Sequence, residues 1–176
     1  SDVSVFMELS GAHKRTAMKL SKICNDLRLL SSGPQAGFGE IKLPPRQAGS
    51  SIMPGKVNPV IPEVVNEVAF VVAGGDVTLA MAAEAGQLQL NAFGPVIAHV
   101  LFENLQWMTA AMATLRENCV AGITANEERL ARQVESFVGV ITALMPHIGY
   151  SAAAQLARQA LGSGSKIADI VVGSGL

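Results

Sequence analysis

Two long, mostly apolar stretches, residues 59–86 and 96–119, constrain the fold more than any other feature of this sequence. In the second stretch, apolar residues recur every three to four positions at Val100, Leu101, Leu105, Met108, Met112 and Leu115. That spacing places them on one face of an α-helix. Because only 15% of the chain is charged and 49% is hydrophobic, such helices have too little polar surface to be solvated on every side. The sequence therefore predicts an all-α fold, a bundle of long helices packed on one another.

An earlier helix is predicted by a similar apolar face, formed by Leu20, Ile23, Cys24, Leu27 and Leu30. The residues that follow, 31–34, read SSGP and combine the Gly and Pro that typically end a helix. Basic residues flank the apolar face at Lys14, Arg15, Lys19, Lys22 and Arg28. We interpret these residues as a solvated or intersubunit surface.

Turn residues predict how the chain is divided. Gly74 and Gly75 predict a bend or break in the stretch 59–86, with Asp76 as the cap of a continuation. Residues 35–58 show no helical period and predict a long loop, and loops of that length are usually functional or disordered. Beyond residue 120 the predicted helices become short. We therefore predict a central helical bundle domain over 1–120, with the loop 35–58, and the start of a smaller C-terminal helical domain over 121–176.

Composition argues against several classes of protein. The formal net charge is −1, from 13 Lys and Arg against 14 Asp and Glu, which gives no reason to expect a nucleic-acid or acidic-membrane partner. The two cysteines, Cys24 and Cys119, form no CxxC pair and no zinc-ligand cluster. We predict that both are reduced core residues of a soluble, cytoplasmic protein, and we predict no metal and no cofactor.

The segment 49–59 reads GSSIMPGKVNP and carries the most chemistry in the chain. Ser50 and Ser51 offer hydroxyl groups, and Lys56 offers a positive charge. Asn58 and Pro59 mark the start of the next helix, where free N–H groups and the helix dipole favour an anion. This combination suits the binding of a small carboxylate or phosphate.

Other interpretations of these residues stay open on chemistry alone. A loop rich in Gly, Ser and Pro with one lysine is more often a solvated connection than a site. Lys56 is followed by Val57, which does not fit a P-loop, and residues 162–165 are too short for a dinucleotide loop. No Ser–His–acid triad follows from the spacing. We predict that His13, His99 and His147 are partly buried structural residues.

The segment 49–59 also resembles the GSSxMPxKxNP signature of the aspartase/fumarase superfamily at every fixed position. Residues 22–34 are similar to the helix end that precedes this loop in the family. Residues 62–66, 81–91 and 122–126 are more similar to aspartases than to fumarases. The resemblance covers essentially the whole chain and implies an all-α, L-aspartase-like fold.

The resemblance implies a role for each matching residue. Ser50 occupies the position of the general base, which removes a proton from the carbon next to a carboxylate. Lys56 and Asn58 occupy positions that hold the carboxylate oxygens of the substrate, and Ser51 lies next to the base. Glu63 matches a carboxylate that stands behind the site as the partner of a histidine. The implied reaction is the deamination of L-aspartate to fumarate through an aci-carboxylate intermediate, without a cofactor.

The resemblance also implies a homotetramer whose subunits share each active site through three separate sequence regions. Residues 1–49 match neither of the two upstream regions, so we expect this chain to be a piece of the enzyme that is inactive by itself. A fumarase, and a helical scaffold that has kept the signature without catalysis, are the alternatives.

Overall fold

The computed structural model describes residues 2–33, 36–47, 57–163 and 167–173. Three long helices come first: α1 (Ser4–Leu30), α2 (Val60–Glu84) and α3 (Gly94–Asn118). Shorter helices follow at α4 (Glu127–Ser136), α5 (Met145–Ser163) and α6 (Ile167–Gly173), with 3-10 turns at Val120–Gly122 and Val138–Leu144. Two short strands, β1 (Ile41–Lys42) and β2 (Thr124–Ala125), pair with each other. The predicted all-α class, with long helices before short ones, is confirmed.

The chain divides into two compact units, Ser1–Thr124 and Ala125–Leu176. The assignment of residues 1–120 and 121–176 to two domains of the family stays a prediction. Within the described part of the predicted loop 35–58, residues 41–42 form β1 and the other residues are irregular.

Helix α2 is the central element of the first unit, because it packs against both α1 and α3. The main core cluster joins the three helices through Ala17, Cys24, Val65, Val68, Ala69, Val72, Met108, Ala111, Leu115 and Cys119. A second cluster near the α2–α3 connection contains Leu79, Ala82, Ile97 and Leu101. Each fully buried side chain of valine or leucine size contributes about 1.5–3 kcal/mol. Part of each apolar face found in the sequence therefore holds the bundle together. Cys24, Leu101, Met108 and Leu115 are buried, whereas Ile23, Leu105 and Met112 are exposed.

A break at Gly74 and Gly75, one of the two predicted outcomes, is wrong, since α2 is helical from Val60 to Glu84. The reason for the second glycine lies in packing. A Cβ atom on Gly75 would lie 2.6 Å from Nδ2 of Asn104 and 3.0 Å from Cγ1 of Val100, both on α3. Gly75 therefore lets α3 approach α2 closely, while a Cβ on Gly74 would meet nothing within 4 Å.

Asp76 does not cap a helix, and the basic face of α1 is not wholly solvated. The Asp76 carboxylate accepts hydrogen bonds from Ser10 Oγ, at 2.8 Å, and from Lys14 Nζ. Ser10 is buried, and the side chain of Asp76 is 14% exposed. A charged residue in the middle of α2 is thus neutralised by α1, because a buried carboxylate needs a partner.

The second unit has a smaller core of its own, formed by Ile141, Ala153, Leu156 and Ala160. Gly149 has φ +77° and interrupts the helical backbone of α5. This backbone region is open to glycine at little cost.

Helix α2 is long and apolar enough to cross a bilayer. Among the described residues, a bent pair of helices within 127–162 is also long and apolar enough if the two helices are taken as one span. The central helix of a soluble bundle has the same length and composition, and α2 packs on two neighbours in the first unit. The absence of a membrane partner stays a prediction.

Candidate functional site

Of the five residues predicted to form the site, the structure describes two. Asn58 and Glu63 are described, whereas Ser50, Ser51 and Lys56 lie outside the described residues. The roles of all five stay predictions. What the structure provides is the local geometry at the end of the signature segment.

Asn58 lies two residues before Val60, the first residue of α2, and Pro59 between them is the N-cap. The carbonyl oxygen of Asn58 accepts a hydrogen bond from the N–H of Val60 at 2.9 Å, and the Pro59 carbonyl accepts one from the N–H of Glu63 at 3.1 Å. Pro59, at the N-cap position, makes no side-chain capping hydrogen bond. The N-terminal end of a 25-residue helix therefore lies beside Asn58, and its partial positive charge favours a carboxylate nearby. Glu63, in the first turn, already benefits from that charge.

Glu63 lies at the outer end of a polar network between α1 and α2. Oε1 of Glu63 is 3.7 Å from Nη2 of Arg28, and Nη1 of Arg28 donates to Oδ1 of Asn66 at 3.3 Å. Nδ2 of Asn66 donates to the carbonyl oxygen and to Oγ of Ser21, at 3.0 and 2.8 Å. Asn66 is 3% exposed, so its orientation is fixed by these hydrogen bonds. Arg28 is in turn directed towards Glu63.

The sequence did not predict that Arg28 and Asn66 form a polar network with Glu63. Arg28 was predicted to lie on a solvated or intersubunit face, yet it bonds within the unit. One feature of the sequence pointed to the network, because Asn66 interrupts the apolar face of α2 between Val65 and Val68. A buried amide is retained where hydrogen-bond partners exist, but the identity of those partners depends on which part of α1 faces it.

A hollow of about 10 Å³ borders Asn58. Its lining comes from residues 43 and 44, from the end of the signature segment with the start of α2, and from the end of α3: Leu43, Pro44, Asn58, Pro59, Val60, Ile61, Pro62, Asn118 and Cys119. Such a space holds about one water molecule, whereas ligand pockets measure about 300–1,000 Å³. The residues lining this hollow therefore do not by themselves enclose a substrate.

Cys24 and Cys119 are both buried free thiols, as predicted. Burial raises the pKa of Cys24 to about 11, with a smaller contribution from the nearby Cys119, and burial also raises the pKa of Cys119. Because the thiolate is the reactive form, neither residue is a suitable nucleophile at neutral pH. Within the described ranges, no group of three or more His, Cys, Asp or Glu residues is placed to hold a metal ion.

The histidines differ from one another. His99 and His147 are exposed, so their predicted partial burial is wrong. His13 is half-buried as predicted, and its buried Nδ1 atom has no hydrogen-bond partner among the residues that the structure describes. His99 lies 3.4 Å from Glu103 in the next turn of α3. None of these contacts involves Asn58 or Glu63.

Two family models match the chain. Residues 1–74 match the model described as lyase, and residues 140–176 match the model described as fumarase C C-terminus. The first match contains the signature segment, α1 and the start of α2.

Individual relatives agree with these matches. The chain is 58% identical over 176 residues to an aspartate ammonia-lyase from Pseudomonas canavaninivorans, covering 100% of this chain and 37% of that protein. A crystal structure of fumarate lyase:delta crystallin from Brucella melitensis bound to cobalt has a TM-score of 0.93 and 53% identity, covering 99% of this chain and 38% of that one. A crystal structure of a class II fumarase from Schistosoma mansoni has a TM-score of 0.84 and 35% identity, and the match covers 100% of this chain and 37% of that one. The chain thus spans less than two fifths of the length of each of these relatives.

Proposed function

Since this chain belongs to the aspartase/fumarase superfamily, we propose that the whole protein deaminates L-aspartate to fumarate and ammonia. The observation that carries this proposal is the 58% identity, over all 176 residues, to a protein named aspartate ammonia-lyase. Identity to the class II fumarase is 35% over the same length. The difference favours deamination over hydration of the same double bond.

In the proposed reaction Ser50 is the general base. It removes a proton from the aspartate carbon next to the side-chain carboxylate, and that carboxylate takes up the electron pair as an aci-carboxylate. The electrons then return to form the carbon–carbon double bond as the bond to nitrogen breaks, and ammonia leaves. A serine hydroxyl is a weak acid, so it acts as a base only where N–H groups or cations stabilise its alkoxide.

Lys56, Asn58 and the start of α2 supply the charge stabilisation in this proposal. All three present hydrogen-bond donors, and the intermediate carries one more negative charge than the substrate. Donors that are already in place when this charge develops lower the barrier, and removing one typically costs about 2.7–4 kcal/mol. The position of Asn58 directly before the first turn of α2 supports this assignment.

Glu63 acts behind the site in the proposal, as the partner of a histidine from another part of the protein. Its contact with Arg28 and the link from Arg28 to the buried Asn66 support a fixed carboxylate at this position. A carboxylate that is held in place orients a histidine better than one that is free to rotate. Ser51, next to the base, supplies a further hydroxyl or backbone N–H group.

We further propose a cytoplasmic homotetramer that has no cofactor, no metal, and no nucleic-acid or membrane partner. Large apolar side chains remain exposed on α2 and α3: Phe70, Val71, Val77, Met81, Phe102, Trp107 and Met112. A monomer rarely leaves so many apolar side chains in water. Copies of the same helices would cover them and extend the bundle, which supports assembly through α2 and α3.

The test measures fumarate by ultraviolet absorbance with the purified full-length protein and either L-aspartate or L-malate. We expect turnover of aspartate. Turnover of malate alone would assign a fumarase, and turnover of neither substrate would assign a scaffold without catalysis.

The base is tested by Ser50→Ala in the same protein. We expect deamination to be abolished while light scattering and circular dichroism show an unchanged tetramer. Turnover within about tenfold of the wild type, a barrier change of about 1.4 kcal/mol, would show that Ser50 is not the base.

A further inference from the structure

We propose that Arg46 is a positioning residue, which fastens the chain leading to Ser50 to the C-terminal end of α3. This proposal rests on the proposed function, because it concerns the segment that carries the base. Arg46 has no place in the family signature and lies three residues before it, and the described structure gives it a specific partner.

The partner is the end of a helix. Nε of Arg46 donates to the carbonyl oxygen of Asn118 at 3.0 Å, and Nη2 donates to the carbonyl oxygen of Glu117 at 3.2 Å. The last four carbonyl groups of an α-helix have no partner within the helix, and this end carries partial negative charge. A planar guanidinium satisfies two such carbonyls at once with donors in a fixed planar arrangement, which a flexible ammonium group lacks. The contact therefore fixes direction as well as distance.

A second contact holds the same stretch of chain against the same helix end. A Cβ atom on Gly122 would lie 2.5 Å from Cγ of Pro44, so the ring of Pro44 approaches the backbone of residue 122 closely only because that residue is glycine. Leu43 packs against the core cluster that includes Cys119. Residues 43–46 are thus attached to the end of α3 and the turn after it through an apolar contact, the close approach of Pro44 to Gly122 and two hydrogen bonds.

Described residues from both sides of Ser50 in the sequence reach this place. Leu43 and Pro44, which precede Ser50, and Asn58 and Pro59, which follow it, line the same hollow of about 10 Å³ together with the last residues of α3. Four residues of chain extend at most about 14 Å, so fixing Arg46 limits the region that Ser50 reaches. A base whose reach is restricted lowers the entropic cost of assembling the reacting groups, and a displacement of about 1 Å can reduce the rate about a hundredfold.

The chain offers a matched control for the charge of Arg46. Arg116 lies at the same end of α3, but Nη2 of Arg116 pairs with the side chain of the neighbouring Glu117, at 2.7 Å. Arg116→Ala removes the same charge near the same helix end and leaves the chain before Ser50 attached. Arg46→Lys keeps the charge and loses the planar, bidentate hydrogen bonding of the guanidinium group.

The experiment compares these three variants with the wild type in the full-length protein, using aspartate as substrate. We expect Arg46→Ala to lower kcat at least tenfold with a smaller change in KM, because the base is displaced while the carboxylate ligands are kept. Arg46→Lys should recover part of kcat, and Arg116→Ala should keep kcat within about twofold. A kcat for Arg46→Ala within twofold of the wild type, or an equal loss in Arg116→Ala, would overturn the proposal.

Hydrogen exchange separates this proposal from the proposed function. The backbone amides of residues 43, 46 and 47 should exchange faster in Arg46→Ala than in Arg116→Ala, whatever the substrate of the enzyme. Equal exchange in the two variants would show that Arg46 does not anchor this stretch. If the wild type does not turn over aspartate, by contrast, the proposed function is refuted. The hydrogen-exchange result then still shows whether Arg46 anchors residues 43–47 to the end of α3.

Discussion

Lys14→Met removes the cation that pairs with the partly buried carboxylate of Asp76. In the wild type this carboxylate accepts hydrogen bonds from Lys14 on α1 and from Ser10, at 2.8 Å for the latter. Methionine keeps nearly the length of the lysine side chain and its apolar packing, so the substitution mainly removes the charge. It leaves Asp76 with Ser10 as its hydrogen-bond donor in this cluster.

The size of the effect follows from the exposure of the two side chains. Removing one partner of a fully buried ion pair costs about 3–5 kcal/mol. Here the Asp76 side chain is 14% exposed and the Lys14 side chain 43% exposed, so water replaces part of the lost interaction. We therefore expect a loss of about 2 kcal/mol at neutral pH. For a chain of this size, that corresponds to a fall in Tm of about 4–8 °C.

The pH dependence distinguishes this loss from a simple packing defect. Burial raises the pKa of Asp76, but the hydrogen bonds from Lys14 and Ser10 and the charge of Lys14 outweigh it, and the pKa is lowered. In the wild type the ionised carboxylate therefore stabilises the fold at neutral pH, and this contribution is lost as the pH falls below about 4, the unfolded value. Without Lys14, burial dominates and ionisation at neutral pH destabilises the fold. The difference between variant and wild type should shrink as the pH approaches 4.

Thermal denaturation at pH 7 and near pH 4, followed by circular dichroism, measures this difference. Lys22→Met is the control, since Lys22 pairs with Asp26 on the same helix with both side chains largely exposed. Such a pair contributes about 0.3–0.5 kcal/mol. A loss at pH 7 in Lys14→Met no larger than that in Lys22→Met, or a loss equal at both pH values, would refute the reasoning.

Two further predictions concern α2 and the signature segment. Gly75→Ala should lower the free energy of unfolding by about 1 kcal/mol, because the clash at 2.6 Å from Asn104 outweighs the gain in helix propensity. Gly74→Ala should raise it by about 0.5–1 kcal/mol, and equal signs in denaturant titrations would contradict the packing role of Gly75. Lys56→Ala should raise KM for aspartate and lower kcat, and Lys56→Arg should recover activity only in part. Unchanged kinetics in Lys56→Ala would mean that this lysine is a solvated loop residue.

The sequence by itself determined the helices and the family. Apolar residues at intervals of three and four specify a helical face locally, so the repeat from Leu20 to Leu30 predicted where α1 ends. The segment 49–59 is long and unusual enough to indicate the family without any structure. Ser50, Ser51, Lys56, Asn58 and Glu63 were assigned through it, and their roles rest on that resemblance.

The tertiary structure alone decided which polar side chains meet. Lys14 donates to Asp76, 62 residues away in the sequence. Arg28 contacts Glu63 and donates to Asn66, which is 38 residues away. Arg46 donates to the end of α3 at Asn118, 72 residues away. Periodicity assigns a side chain to a face of its own helix, but it does not give the rotation or the axial position of the neighbouring helix. The same limit explains Gly75. A glycine in a helical stretch predicts a break from local preferences, whereas here the close approach of α3 requires the missing Cβ.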